Sequence, residues 1–198
     1  MSTVEPLERL PAQSTRQWLS KRQSATVAAL LVAGLDLLRE VGYEQLTIRS
    51  VAGRVGVTHT TAYAYFSSKG HLVAEMLWRR LEALPAPMTD PSMSLAARIT
   101  EALRDPGLLL ADEPALSQAA LAALLTQDPD VSRLRDAIGA ELARRIECTL
   151  DGAAEPDLTE ALLLAFSGAM LQAGMGYFDF SGVVSRMSSV AGLLDRSH

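Results

Sequence analysis

The chain has 198 residues, with 18 Lys and Arg against 23 Asp and Glu and a formal net charge of −5. That length suits one domain or two small ones sharing a core, and 48% hydrophobic against 21% charged residues excludes a disordered chain. With 13 Gly and 9 Pro it is neither collagen-like nor of low complexity, and its Ala- and Leu-rich aliphatic content favours helix over strand. The one cysteine, Cys148, excludes an intrachain disulfide framework, suits a reducing compartment and reads as a small buried hydrophobe.

Residues 1–20 read as a flexible arm rich in Ser, Thr, Gln and Pro; they hold no apolar run of signal-peptide length, so a cytoplasmic location is expected. From Ser24, the residues Val27, Leu30, Leu31, Gly34, Leu35, Leu38 and Val41 recur at three- and four-residue steps, which predicts a helix that Gly42 terminates. Two short helices follow across 47–65, and a fourth over 68–84 carries Leu72, Met76, Leu77 and Leu81 before Pro85. Beyond it, Asp90-Pro91, Asp105-Pro106, Glu113-Pro114, Asp128-Pro129 and Glu155-Pro156 each mark a boundary between helices. The segments between them, 94–104, 114–126, 130–150, 157–176 and 182–195, are of helix length. The uncharged stretch 161–178 is too short and too diluted by Ser167, Gln172 and three glycines for a membrane span, and predicts a buried helix. No β-alternation or internal repeat appears. The expectation is an all-α protein of nine or ten helices with no membrane partner.

Charge is unevenly placed. Residues 16–80 hold nine basic and four acidic side chains, whereas 83–198 hold eight basic and sixteen acidic ones. A basic amino-terminal module on an acidic body points to a polyanionic partner for that module alone. Within it, Thr47 can cap a short helix whose Ile48, Val51, Ala52 and Val55 face inward. Gly56 supplies a tight turn, and Thr58 can cap a helix over 58–65. Small Ala52 followed by Gly56 between two short helices is a helix-turn-helix arrangement, although a plain helical hairpin would share it. As a helix-turn-helix it would lay its second helix in the major groove, with His59, Thr60, Thr61 and Tyr63 on the polar face. Tyr hydroxyls and the Thr58 cap suit phosphate oxygens, as would a cation at Lys69.

The stretch resembles the DNA-binding segment of TetR-family transcriptional regulators. The matching residues are Gly42-Tyr43, Thr47, Val51-Ala52, Gly56-Val57-Thr58, Tyr63, Tyr65-Phe66, Lys69 and Leu72; Ala62 departs from the more usual Leu or Val. The resemblance spans about a quarter of the chain and implies a partner in double-stranded operator DNA. It implies Thr47 and Thr58 at phosphates, His59, Thr60, Thr61 and Tyr63 at bases or backbone, and Tyr65 and Lys69 clamping the flanking phosphates. Arg49 and Ser50 are further phosphate candidates, and Phe66 a core plug. Metal is not expected, since His59 has only His71 and His198 as fellow histidines and no Cys or carboxylate cluster beside it.

The family is two-domain, all-α and homodimeric, which implies, after the arm over 1–20, a DNA-binding domain over 21–66 and a ligand-binding and dimerisation domain over 67–198. Small and apolar residues around most of 157–176 and a stripe along 182–195 independently suggest a four-helix interface. Its candidates are Leu162, Ala165, Phe166, Ala169, Met170, Ala173, Val184, Met187, Val190, Ala191 and Leu194. The central helices offer Leu108, Leu109, Leu110, Leu121, Leu124, Leu125, Ile138, Leu142, Phe166, Met170 and Met175 for a largely apolar cavity, and hence a small hydrophobic or amphipathic effector. No nucleophile elbow, zinc-protease motif, phosphate loop or paired-Cys motif appears, so neither an enzyme nor a cofactor is expected. The reading is a repressor released from a palindromic operator by its ligand. A helical lipid-binding or membrane-peripheral module without DNA function is the alternative.

Overall fold

The computed structural model describes residues 21–88, 90–150 and 156–194. Among them the fold is all-helical and contains nine helices: α1 (Lys21–Gln45), α2 (Ile48–Val55), α3 (His59–Tyr65), α4 (Lys69–Glu82), α5 (Leu95–Leu108), α6 (Pro114–Leu124), α7 (Pro129–Glu147), α8 (Pro156–Gly174) and α9 (Gly182–Leu194). The flexible arm expected over 1–20 lies outside the described residues.

Most helix boundaries follow from local chemistry. In α1 the backbone leaves helical geometry at Gly42 (φ 75°, ψ 171°), so Gly42 does interrupt the helix and the final residues form a separate turn. Pro114, Pro129 and Pro156 each open a helix, where a missing N–H costs nothing, and Pro91 stands in a loop. Asp105-Pro106 is the exception. Here α5 continues to Leu108 with Pro106 buried inside it. So near the end of a helix, proline forfeits little of the hydrogen-bond ladder, and burial of its ring offsets the loss. Cys148, expected inside, is exposed just beyond α7.

The core falls into two clusters. One joins α1, α2, α3 and α4 to Leu116, Ala119, Ala120 and Ala123 of α6; the other joins the end of α4 to α5, α7, α8 and α9. Helix α5 packs most extensively on α9, and α4 lies against both α6 and α7. The amino-terminal helices therefore share a core with α6 rather than standing apart from the body.

Two polar fastenings reinforce that union. Arg39 Nε of α1 donates to Glu113 Oε1 at 3.1 Å, Arg39 Nη2 bonds the other carboxylate oxygen, and Arg80 Nη2 of α4 lies 3.7 Å away. Glu113 stands at the N-cap of α6, yet its side chain makes no cap bond because it is turned to Arg39. The second fastening joins Ser67 and Ser68 to the start of α7: Ser67 Oγ donates to Asp130 Oδ2 and Ser68 Oγ to Asp128 Oδ2, both at 2.5 Å. The Arg39 guanidinium holds Glu113 below the usual carboxylate range, and the Ser68 and Ser67 hydroxyls do the same for Asp128 and Asp130. A carboxyl whose folded pKa is depressed stabilises the fold above its unfolded pKa of about 4, and that contribution is lost as pH falls through the folded value. Thermal unfolding should therefore be nearly level from about pH 7 to pH 5 and decline below about pH 4. A midpoint that stays level to pH 3 would contradict this.

Candidate nucleic-acid interface

Helices α2 and α3 are short, and caps hold both. Thr47 Oγ1 accepts from Ser50 N at 3.0 Å, while Thr47 N donates back to Ser50 Oγ at 3.3 Å, forming a capping box at the start of α2. The α2 helix ends at Gly56 (φ 76°, ψ 25°), a left-handed conformation that costs glycine nothing and lets its N–H close the helix. Two residues later Thr58 Oγ1 accepts from Thr61 N at 3.1 Å and opens α3. Beneath the pair, Ile48, Val51, Ala52, Ala62 and Phe66 are buried against α1. Ala62 is completely covered, so a small residue at this position leaves the recognition helix packed.

These contacts divide the ten candidate DNA-binding residues. The hydroxyls of Thr47, Ser50, Thr58 and Thr61 are engaged in the caps, with Thr58 and Thr61 Oγ1 2.9 Å apart. Lys69 is turned inward: Nζ donates to Tyr43 O at 2.8 Å and Glu44 O at 3.1 Å and lies over the Tyr43 ring, closing the end of α1. Tyr65 is half-buried against the core. Arg49, His59, Thr60 and Tyr63 remain exposed, and among the described residues their side chains have no hydrogen bond or ion pair; Tyr63 is 50% exposed. The other exposed cation nearby, Arg54, is held by Glu40 through bonds of 3.0 and 2.7 Å.

In the body, a cavity of about 170 Å³ lies among α4, α6, α7, α8 and the end of α5. Its wall includes the expected Leu109, Leu110, Leu121, Leu124, Ile138, Leu142, Phe166 and Met170. It also includes Leu77, Leu81, Pro106, Ala120 and Ser167, which the sequence reasoning missed; Leu77 and Leu81 lie on the apolar stripe of α4, and Pro106 lies inside α5 rather than at a helix boundary. Leu108, Leu125 and Met175 are not in the wall: they are 37, 70 and 63% exposed, because they point away from the helices that enclose it. Among the described residues, Ser167 supplies the one hydroxyl in the wall, and no charged residue lines it.

The expected dimer face also needs correction. Leu162, Phe166, Ala169, Ala173, Met187 and Ala191 are buried inside the subunit, because α5, α7 and the facing sides of α8 and α9 occupy that space. Ala165, Met170, Val184 and Val190 are half-buried, and the side chain of Leu194 lies outside the described residues. The uncovered apolar residues of α8 are instead Leu164 and Leu171, on one face with half-buried Gly168 between them, and Met175 follows just past the helix end; Leu164 is 68% exposed. No described helix is long and apolar enough to cross a membrane.

A capped helix-turn-helix with an exposed polar second helix, built onto an all-helical body, defines a helix-turn-helix DNA-binding protein. Residues 30–76 match the profile of bacterial regulatory proteins of the tetR family. An HTH-type transcriptional regulator of Mycobacterium tuberculosis, itself uncharacterised, is 42% identical over 177 residues, which are 88% of this chain and 83% of that one. The HTH-type transcriptional repressor KstR of Rhodococcus jostii is 32% identical over 133 residues, 63% of this chain and 59% of KstR. A TetR transcriptional regulator from Rhodococcus sp. RHA1 shares the fold with a TM-score of 0.71 at 23% identity, covering 88% of this chain and 97% of that one. The chain belongs to the TetR family of bacterial transcriptional regulators.

Proposed function

We propose that the protein is a ligand-responsive repressor that binds a palindromic operator as a homodimer and leaves it when a small apolar molecule enters the body. The observation that carries this reading is the free polar face of α3. His59, Thr60 and Tyr63 are exposed and unpartnered among the described residues, while the caps that open α2 and α3 are satisfied. In such a site Thr60 and Tyr63 reach base edges or phosphates, Arg49 reaches the backbone, and the cap residues hold the helices at fixed spacing. The uncovered face of α8 supplies the two-fold contact that sets two α3 helices one DNA turn apart. The likeness to a named repressor supports repression over activation. The apolar wall of the cavity supports an uncharged effector, whose preference for one arrangement of the body shifts the population away from the operator.

The test uses the duplex that the full-length protein selects from a random pool. Binding should weaken with rising salt, and Tyr63→Ala should cost about tenfold in affinity while leaving thermal stability unchanged. Unchanged affinity in that variant would contradict the assignment of the α3 face. Lys69→Ala is the poorer probe, because its ammonium also closes α1.

A further inference from the structure

The α3–α4 junction consists of Phe66, Ser67 and Ser68, so any rotation of the recognition helix relative to α4 must be taken up there. Both serine hydroxyls are gripped from outside the DNA-binding helices. Ser67 Oγ donates to Asp130 Oδ2 and Ser68 Oγ to Asp128 Oδ2, each at 2.5 Å, and both carboxylates stand at the amino-terminal end of α7. The carboxylates are themselves fixed: Asp128 Oδ1 accepts from Asp130 N at 2.9 Å, and Arg133 bonds Asp130. The serines are fixed from the other side. Ser68 Oγ accepts from His71 N at 3.0 Å, and Ser67 N donates to His71 Nδ1 at 3.3 Å. Gly70 is buried, and a Cβ placed on it would meet Val131 at 3.6 Å, so the first turns of α4 and α7 are in close contact. Hydrogen bonds to ionised carboxylates are stronger than neutral ones, and here two act on adjacent residues.

We propose that Asp128 and Asp130 are positioning residues for DNA binding: from the effector body, they hold the junction so that α3 presents its polar face at a fixed angle. The proposal rests on the operator-binding reading above. It gives the cavity a direct route to the DNA, because α7 also carries Ile138 and Leu142 into the cavity wall. A displacement of α7 there reaches Ser67 and Ser68 through these two bonds, without passing along α4.

A double-mutant cycle on the full chain tests it, using the selected operator. Ser67→Ala and Asp130→Ala should each raise Kd about fivefold or more, and the double variant should bind no worse than the weaker single one. Ser67→Thr, which keeps the hydroxyl, should restore binding. Amide exchange in the Ser67→Ala variant should quicken across 59–68 and stay unchanged in α8. Ser67 is exposed and caps no helix, so this variant tests the grip without unfolding the protein. Single variants within twofold of wild type, or effects that multiply in the double variant, overturn the proposal while leaving the operator reading intact. A wild-type protein that selects no duplex overturns both.

Discussion

In the proposed homodimer, with α8 at its two-fold contact, replacing Leu164 by Glu should give monomers and reduce operator affinity by about a hundredfold or more. Leu164 is 68% exposed on a face of α8 that continues through Leu171 toward Met175 just past the helix, and so it contributes little to the subunit's own core. Covering a leucine contributes about 1.5–3 kcal/mol, and in a two-fold interface every residue counts twice. The substitution replaces that gain with two carboxylates that must be desolvated without a partner. A monomer then engages one half-site at a time and loses the effective-concentration advantage, which is worth about 10²–10⁴. Light scattering and operator titration measure the two effects, and thermal unfolding should show the monomer's fold intact. A variant that stays dimeric at the same concentration would remove this face of α8 from the interface.

That face also shows where sequence reading stops. Capping residues and turn glycines act within a few residues, so Thr47, Gly56 and Thr58 are placed by local rules and stand where those rules put them. The identity of α8 as a helix was legible for the same reason. Its phase was not: with apolar residues on nearly every side, periodicity does not choose between Leu162 and Leu164, and packing against α7 and α9 decides which is covered. The cavity was half legible, because its leucines are in the sequence but their directions depend on crossing helices. The fastenings were invisible. Ser67 and Asp130 are 63 positions apart, and each looks like an ordinary boundary residue until α4 and α7 are laid side by side. Pro106 shows the reverse error, a local rule applied where tertiary burial outweighs it.

Phe66→Ala should lower stability by about 3–5 kcal/mol and the unfolding midpoint by about ten degrees. The ring is 3% exposed, lies edge-on to the His71 imidazole with centroids 5.5 Å apart, and fills the space where α3, α4 and α1 meet. Its backbone N–H also closes α3 on Ala62 O at 3.0 Å. A helix of seven residues does not persist in water on its own propensity, so α3 depends on this plug. Losing the plug should therefore free the recognition helix before the rest of the subunit melts, with α3 amides exchanging fast at temperatures where α5 and α9 remain protected. Operator affinity should fall in parallel, although Phe66 itself is covered and faces no DNA. The contrast with Tyr63→Ala separates the two roles on one helix: the exposed ring changes affinity without changing the melt, and the buried ring changes both. A Phe66→Ala protein that melts within about two degrees of wild type would mean that the cavity collapses and α3 has other support.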